Sequence, residues 1–268
     1  MSADGGAQAG SGQSGAQRLT AAAGAVTLAA MIATPLAPRG GVVRRALSSV
    51  VVTGLFVTTA ASSTRRWGLR RAVGAATGLA AATAVAERVG TATGLPFGRY
   101  HYPGALRPQV GGVPAIVPLA WFAMAVPARD AAHAALGHRS GRVARVALGA
   151  GALTAWDLFL DPQMVGEGYW RWARQGRYRG IPFSNYAGWL LVSVGVMAAL
   201  EVALPIDDGE AADPTSVAQY ATMAAMETVG FAAFFRDRVV AAVGGAAMLP
   251  IAAAAVRRVV EQRRWVRG

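Results

Sequence analysis

The sequence predicts an all-α fold, a polytopic membrane bundle of about eight transmembrane helices, with seven as the alternative count. Three observations support this prediction. Hydrophobic residues make up 54% of the 268 residues. Charged residues make up only 15%, against roughly 25% in an average soluble domain. The apolar residues are gathered into long blocks, and arginines separate these blocks from one another.

Eight blocks approach the roughly 20 apolar residues that a membrane-spanning helix needs. In chain order they cover residues 19–37, 46–62, 69–87, 113–132, 143–161, 187–204, 217–235 and 239–256. The first block is the strongest because no charge interrupts it, and the second and seventh are the weakest because polar side chains dilute them. We therefore expect a disordered tail over 1–17, a single transmembrane helical domain over 18–258 and a basic tail over 259–268.

The basic residues fall mainly between the blocks. All 26 are arginine, and the formal net charge is +12. Arginine at the ends of membrane helices contacts anionic headgroups, so this charge predicts membrane lipids as partners and no nucleic acid. The sequence has neither cysteine nor lysine, which excludes disulfides, a cysteine nucleophile, a lysine Schiff base and a Walker-type phosphate loop. We expect a multi-pass protein of the cell membrane.

Two carboxylates stand out in the fifth block. Asp157 and Asp161 are four residues apart, so on a helix they share a face. Carboxylates at membrane depth are costly and are by default functional candidates. Pro162 disfavours helical geometry at Asp161, so we expect the helix to end there, with Asp161 at the negative end of the helix dipole. Low polarity, the dipole and the second carboxylate all favour a neutral carboxyl, which can act as an acid.

A structural role is the alternative for each of these acids. Asp157 and Asp161 could tie helices together through hydrogen bonds or arginine. Glu87, Glu201 and Glu227 also lie in apolar blocks, where helix–helix bonding and function are equal alternatives, and we keep Glu87 as a third catalytic candidate. The three histidines lack metal-ligand spacing and the glycines form no nucleotide loop, so neither a metal nor a cofactor is predicted.

Two segments crowd aromatic and polar residues against apolar blocks. The first contains Pro96-Phe-Gly-Arg-Tyr-His-Tyr102, Gly112-Val-Pro114 and Pro118-Leu-Ala-Trp121. The second contains Ala155-Trp-Asp-Leu-Phe-Leu-Asp-Pro-Gln-Met164, Gly168-Tyr-Trp170, Gly180-Ile-Pro182 and Asn185-Tyr-Ala-Gly-Trp189. Across roughly residues 87–190, this pattern resembles the integral-membrane carotenoid-biosynthesis family, whose members include CruF-type carotenoid hydratases and bisanhydrobacterioruberin hydratases.

The resemblance implies addition of water across the terminal carbon–carbon double bond of an acyclic carotenoid, giving a tertiary alcohol without a redox cofactor. Such a reaction needs an acid that protonates the alkene, for which Asp157 or Asp161 is suited, with the other as general base. Aromatic faces would stabilise the cation. We expect the partners to be an acyclic carotenoid and other carotenoid-pathway enzymes. The expected substrate-binding residues are Tyr100, His101, Tyr102, Trp121, Trp156, Tyr169, Trp170 and Asn185.

Two other functions stay open at this point. A membrane prenyltransferase would hold Mg²⁺ and a diphosphate between the Asp157/Asp161 pair and a second acidic motif, here the loop from Asp207 to Asp213. Chelation by EDTA would abolish that activity. A non-catalytic carotenoid-binding protein would position pigment and leave its mass unchanged, whereas hydration adds one water.

Overall fold

The computed structural model describes residues 4–137, 140–207 and 209–267 and confirms the all-α membrane bundle. Eight α-helices are present in this part of the chain, and each contains most of one predicted block. They are α1 (Asp4–Ala33), α2 (Val42–Trp67), α3 (Leu69–Thr93), α4 (Ile116–Leu136), α5 (Arg142–Gly166), α6 (Phe183–Ala203), α7 (Pro214–Val229) and α8 (Arg238–Arg267). A 3₁₀ turn (Thr34–Leu36) follows α1, and a π-helical turn (Gly230–Phe234) follows α7.

Five of these helices contain segments long and apolar enough to cross a membrane. The segments are Arg18–Leu36, Val42–Trp67, Arg142–Gly166, Phe183–Ala203 and Arg238–Arg264. The central helix of the bundle is α4, which is buried from Trp121 to Ala134 and contacts α2, α3, α5, α7 and α8. Its many alanines let these neighbours approach closely. The charged residues of α4 therefore lie inside the protein and not against lipid.

The end of α5 differs from the prediction. The helix was expected to stop at Asp161, but it continues through Pro162 to Gly166. Proline lacks the N–H that would donate to the carbonyl oxygen four residues earlier, which belongs to Leu158. The hydroxyl of Tyr178 donates to this oxygen at 3.0 Å and replaces the missing hydrogen bond. Asp161 therefore lies within the helix, and the argument from the dipole at its end does not apply.

The first and last helices extend into the two segments that were expected to be tails. Helix α1 begins at Asp4, so the backbone is helical over most of the segment expected to be a disordered tail, and α8 extends to Arg267 through most of the basic tail. Residues 1–3 and 268 lie outside the described part of the chain. The division into two tails and one membrane domain stays a prediction.

The connections α3–α4 and α5–α6 fold together at one end of the bundle, and we call residues 94–115 and 167–182 the loop cap. Strand β1 (Tyr100–His101) pairs antiparallel with β4 (Arg171–Trp172), which joins the two connections. A second pair, β2 (Gln109–Val110) with β3 (Val113–Pro114), lies within the first connection. The two aromatic segments identified in the sequence therefore meet at the ends of α3 and α5.

Candidate functional site

The three predicted catalytic carboxyls come together below the loop cap. Glu87 lies on α3, and Asp157 and Asp161 lie one turn apart on α5. Each residue is at most 5% exposed. Asp157 interacts electrostatically with both Asp161 and Glu87, and Asp161 interacts with Glu87. The helix packing thus creates a cluster of three buried carboxyls, which we call the carboxyl cluster.

The carboxyl cluster differs from Asp130 and Glu201 in having no arginine partner among the described residues. These two acids form ion pairs: Asp130 with Arg66 at 3.3 Å and Glu201 with Arg145 at 2.7 Å. No ion pair between described residues includes a member of the cluster. Burying carboxyls without a cation is costly, and this argues against a role that only ties helices together.

Glu87 is held by aromatic donors. The hydroxyl of Tyr100 and, at 2.8 Å, that of Tyr102 both donate to Oε2 of Glu87, and Trp121 also lies within hydrogen-bonding reach. Burial, together with the neighbouring Glu87 carboxyl, raises the pKa of Tyr100, so its hydroxyl stays protonated and remains a donor. These contacts fix Glu87 in place at the junction between α3, α4 and the loop cap.

The two aspartates of α5 have different surroundings. Nδ2 of Asn185, in the first turn of α6, donates to Oδ2 of Asp161, and both residues are fully buried. Asp157 accepts no hydrogen bond from any described residue, and its side chain faces a cavity of about 80 Å³. A buried water needs about 10–15 Å³, so this cavity has room for more than water alone. Of the two aspartates, Asp157 is therefore the one that faces the cavity.

The cavity beside Asp157 is apolar and aromatic. The rings of Trp121 and Trp189 are 4.6 Å apart, and Trp189 also contacts Phe97 at 4.5 Å. The cavity is lined by Val52, Glu87, Leu106, Ile116, Val117, Ala120, Trp121, Leu153, Trp156, Asp157, Leu160, Met164, Trp170 and Trp189. Such a lining suits the hydrocarbon end of an apolar molecule and presents two carboxyls to it.

The structure brings some of the predicted substrate-binding residues to the cavity and leaves others away from it. Trp121, Trp156 and Trp170 line it. Tyr100 and Tyr102 contact Glu87, and Asn185 contacts Asp161, so these three support the carboxyls. His101 is exposed on the outer side of β1. Tyr169 is buried beside Arg44 and Glu167 and does not line the cavity.

Sequence reasoning missed Trp189 as a site residue. It lies four residues after Asn185 on α6, so the two side chains share one face of that helix. This spacing was the available signal. Gly188 also matters, because a Cβ there would lie only 2.8 Å from the ring of Phe97, so glycine permits the close approach of α6 to the loop cap.

The acidic loop from Asp207 to Asp213 lies at the opposite end of the bundle. It follows the C-terminal end of α6, whose N-terminal turn holds Asn185, so about 30 Å of helix separates the loop from the carboxyl cluster. Glu210 pairs with Arg66 at 2.7 Å, and Asp208 lies outside the described residues. Where the chain is described, no group of three or more acidic or histidine side chains has an arrangement that could hold a metal ion.

Comparison with known proteins identifies a family model that matches most of the chain and a relative that is similar to part of it. A family model described as "Carotenoid biosynthesis protein" matches residues 45–260. The bisanhydrobacterioruberin hydratase of Haloarcula japonica is 35% identical over 107 residues, which cover 39% of this chain and 36% of that protein. The chain therefore spans little more than a third of that relative's length. No solved structure matches the chain.

Proposed function

The chain belongs to the carotenoid biosynthesis protein family, and we propose that it is a hydratase that adds water to the terminal carbon–carbon double bond of an acyclic carotenoid. The product is a tertiary alcohol. The observation that carries this proposal is a cluster of buried carboxyls without arginine at the wall of an apolar, tryptophan-lined cavity. The name of the Haloarcula japonica relative supports it over the aligned residues.

Asp157 is the proton donor in this proposal. It lines the cavity and makes no hydrogen bond to a described residue, so its proton is available to a substrate there. Transfer of this proton to the CH carbon of the terminal double bond leaves a tertiary cation on the neighbouring dimethyl carbon. A water molecule then forms the new C–O bond and gives its proton to Asp161 acting as general base. Transfer of that proton from Asp161 to Asp157, one helical turn away, restores the starting state.

The aromatic lining stabilises the cation. Trp121, Trp156, Trp170 and Trp189 surround the space in front of Asp157. A cation over a dry tryptophan face gains about 2 kcal/mol, which corresponds to roughly a thirtyfold gain in rate when the gain arises only in the transition state. Glu87, which is held by Tyr100 and Tyr102, adds a second carboxyl to the cavity lining on the side of α3.

The geometry does not favour the prenyltransferase alternative. A diphosphate held by two acidic motifs requires these motifs to face each other, but the Asp207–Asp213 loop and the carboxyl cluster lie at opposite ends of α6. The proposal includes the cell membrane as the location, because acyclic carotenoids partition into lipid, and other carotenoid-pathway enzymes as partners that supply the substrate.

Substitution of the two aspartates tests the proposal. Asp157→Asn and Asp161→Asn keep side-chain shape and remove the acid and the base. In a host that makes a defined acyclic carotenoid, we expect both variants to lose the hydroxylated product, measured by mass spectrometry of the extracted pigment. Glu227→Gln is the matched control, because Glu227 lies on α7 and interacts with neither Asp157 nor Asp161, so the product should be unchanged. Unchanged product in both aspartate variants would contradict the proposal.

A further inference from the structure

Hydration consumes a water molecule in each turnover, but the cavity that faces Asp157 is mostly apolar and would be filled by the substrate. We propose that Asp161, Asn185 and Tyr186 form a separate water-binding site that holds the attacking water. This inference rests on the proposed hydratase function. Tyr186 is the new residue in it, and we assign it, with Asn185, the role of positioning the water.

Three buried polar atoms without partners among the described residues belong to Asp161 and to two residues that interact with it. Oδ1 of Asp161, Oδ1 of Asn185 and the hydroxyl of Tyr186 are all buried, and none has a hydrogen-bond partner among the described residues. Nδ2 of Asn185 donates to Oδ2 of Asp161. This hydrogen bond holds the two side chains together, and the Oδ1 atom of each is left without a partner in the described part of the chain. Tyr186 follows Asn185 on α6 and interacts electrostatically with Asp161 and Asp157. Buried polar atoms require partners, and a water with two to four polar neighbours satisfies such a group.

This site is distinct from the hydrocarbon cavity. Asp157 lines the cavity, whereas Asp161, Asn185 and Tyr186 do not. Asp157 and Asp161 are four residues apart on α5, a rise of about 6 Å along the helix axis. In this proposal the substrate reaches Asp157 from the cavity, and the water is held one helical turn away, beside Asp161 and Asn185.

Polar side chains lie between the proposed water site and an open cavity beside the loop cap. Tyr186 packs against Tyr178 with ring centres 5.9 Å apart, and Tyr178 interacts electrostatically with both Asp161 and Asp237. Asp237 and Arg179 form a 2.6 Å ion pair at an open cavity of about 350 Å³. That cavity is also lined by the two residues that follow Asp161 in the sequence. Burial raises the pKa of Tyr178 to about 12, so its hydroxyl stays protonated.

The role of the water site predicts a specific failure when it is damaged. Protonation of the alkene by Asp157 does not need the water, so the cation still forms without it. A cation that meets no water returns a proton to a carboxylate, and the double bond forms again. In heavy water, this reversal leaves deuterium in recovered, unhydrated carotenoid. Loss of water positioning therefore lowers the rate of hydration while deuterium exchange continues. Misfolding or loss of the acid lowers both rates together.

The test uses the purified full chain in liposomes with an acyclic carotenoid in heavy water. For Tyr186→Phe, we expect hydration to fall about tenfold, the effect of losing one hydrogen bond of about 1.4 kcal/mol, while exchange continues. The ratio of exchange to hydration, measured by mass spectrometry, then rises. The control is Tyr220→Phe, because that hydroxyl donates to the Ala152 carbonyl at 3.1 Å and has no interaction with the carboxyl cluster.

Two outcomes overturn the inference. The first is an unchanged ratio of exchange to hydration in Tyr186→Phe, whether both rates fall or both stay at the wild-type level. This result shows that Tyr186 does not position the water. The proposed hydratase function is then still supported by the activity of the wild type. If the wild type neither hydrates the carotenoid nor exchanges deuterium, the proposed function fails as well.

Discussion

Removal of a buried carboxyl should destabilise the protein strongly at one end of the bundle and only slightly at the other. At the end away from the loop cap, Glu201 accepts hydrogen bonds from Arg145 at 2.7 and 3.2 Å, and its side chain is only 2% exposed. Glu201→Gln removes the negative charge that offsets this arginine. Breaking a buried ion pair in this way costs about 3–5 kcal/mol. For a chain of this size, that cost lowers the melting temperature by roughly 6–20 °C.

Asp157→Asn should instead leave stability within about 1 kcal/mol of the wild type, because Asp157 has no arginine and no hydrogen bond from the described residues to lose. Thermal unfolding of both purified variants in the same detergent, followed by tryptophan fluorescence, measures the difference. If Asp157→Asn lowers the melting temperature as much as Glu201→Gln, then Asp157 is a structural tie and the reasoning about the carboxyl cluster is refuted.

Three further predictions concern the cavity and its supports. Tyr178→Phe should lower the free energy of unfolding by about 0.5–1.5 kcal/mol, because it removes the donor to Leu158; an unchanged denaturation curve would show that this hydrogen bond does not support α5. Ala120→Phe places a ring in the cavity of about 80 Å³, so pigment extracts should lose hydroxylated product; full product would place the substrate elsewhere. Tyr102→Phe removes one donor to Glu87, and conversion should fall about tenfold in a timed assay; conversion at the wild-type rate would show that the Tyr102 hydrogen bond to Glu87 does not contribute to the reaction.

The sequence predicts the local part of the candidate site well, because that part depends on helical periodicity. Asp157 and Asp161 share a face of α5 because they are four residues apart, and all eight predicted blocks fall on helices. Glu87 is different. Its own surroundings in the sequence do not distinguish it from Glu201, and only helix packing gives one of them tyrosine donors and the other an arginine.

The errors have physical causes that lie outside local sequence. The expected end of α5 at Pro162 is wrong because Tyr178, from a distant loop, supplies the hydrogen bond that proline cannot make. His101 does not reach the site because successive residues of a strand face opposite sides. The side chain of Tyr100 contacts Glu87, so that of His101 points outward. Trp189 was missed because its importance depends on packing against Trp121 of another helix.

The central claim is that the protein adds water to an acyclic carotenoid through Asp157. The most direct measurement incubates the purified protein in liposomes with an acyclic carotenoid in oxygen-18 water, without molecular oxygen, and analyses the pigment by mass spectrometry. The account predicts a product heavier by one water that carries oxygen-18 in a tertiary hydroxyl, and no such product from Asp157→Asn. An unaltered carotenoid from the wild type, or a labelled product from the variant at the wild-type rate, would contradict it.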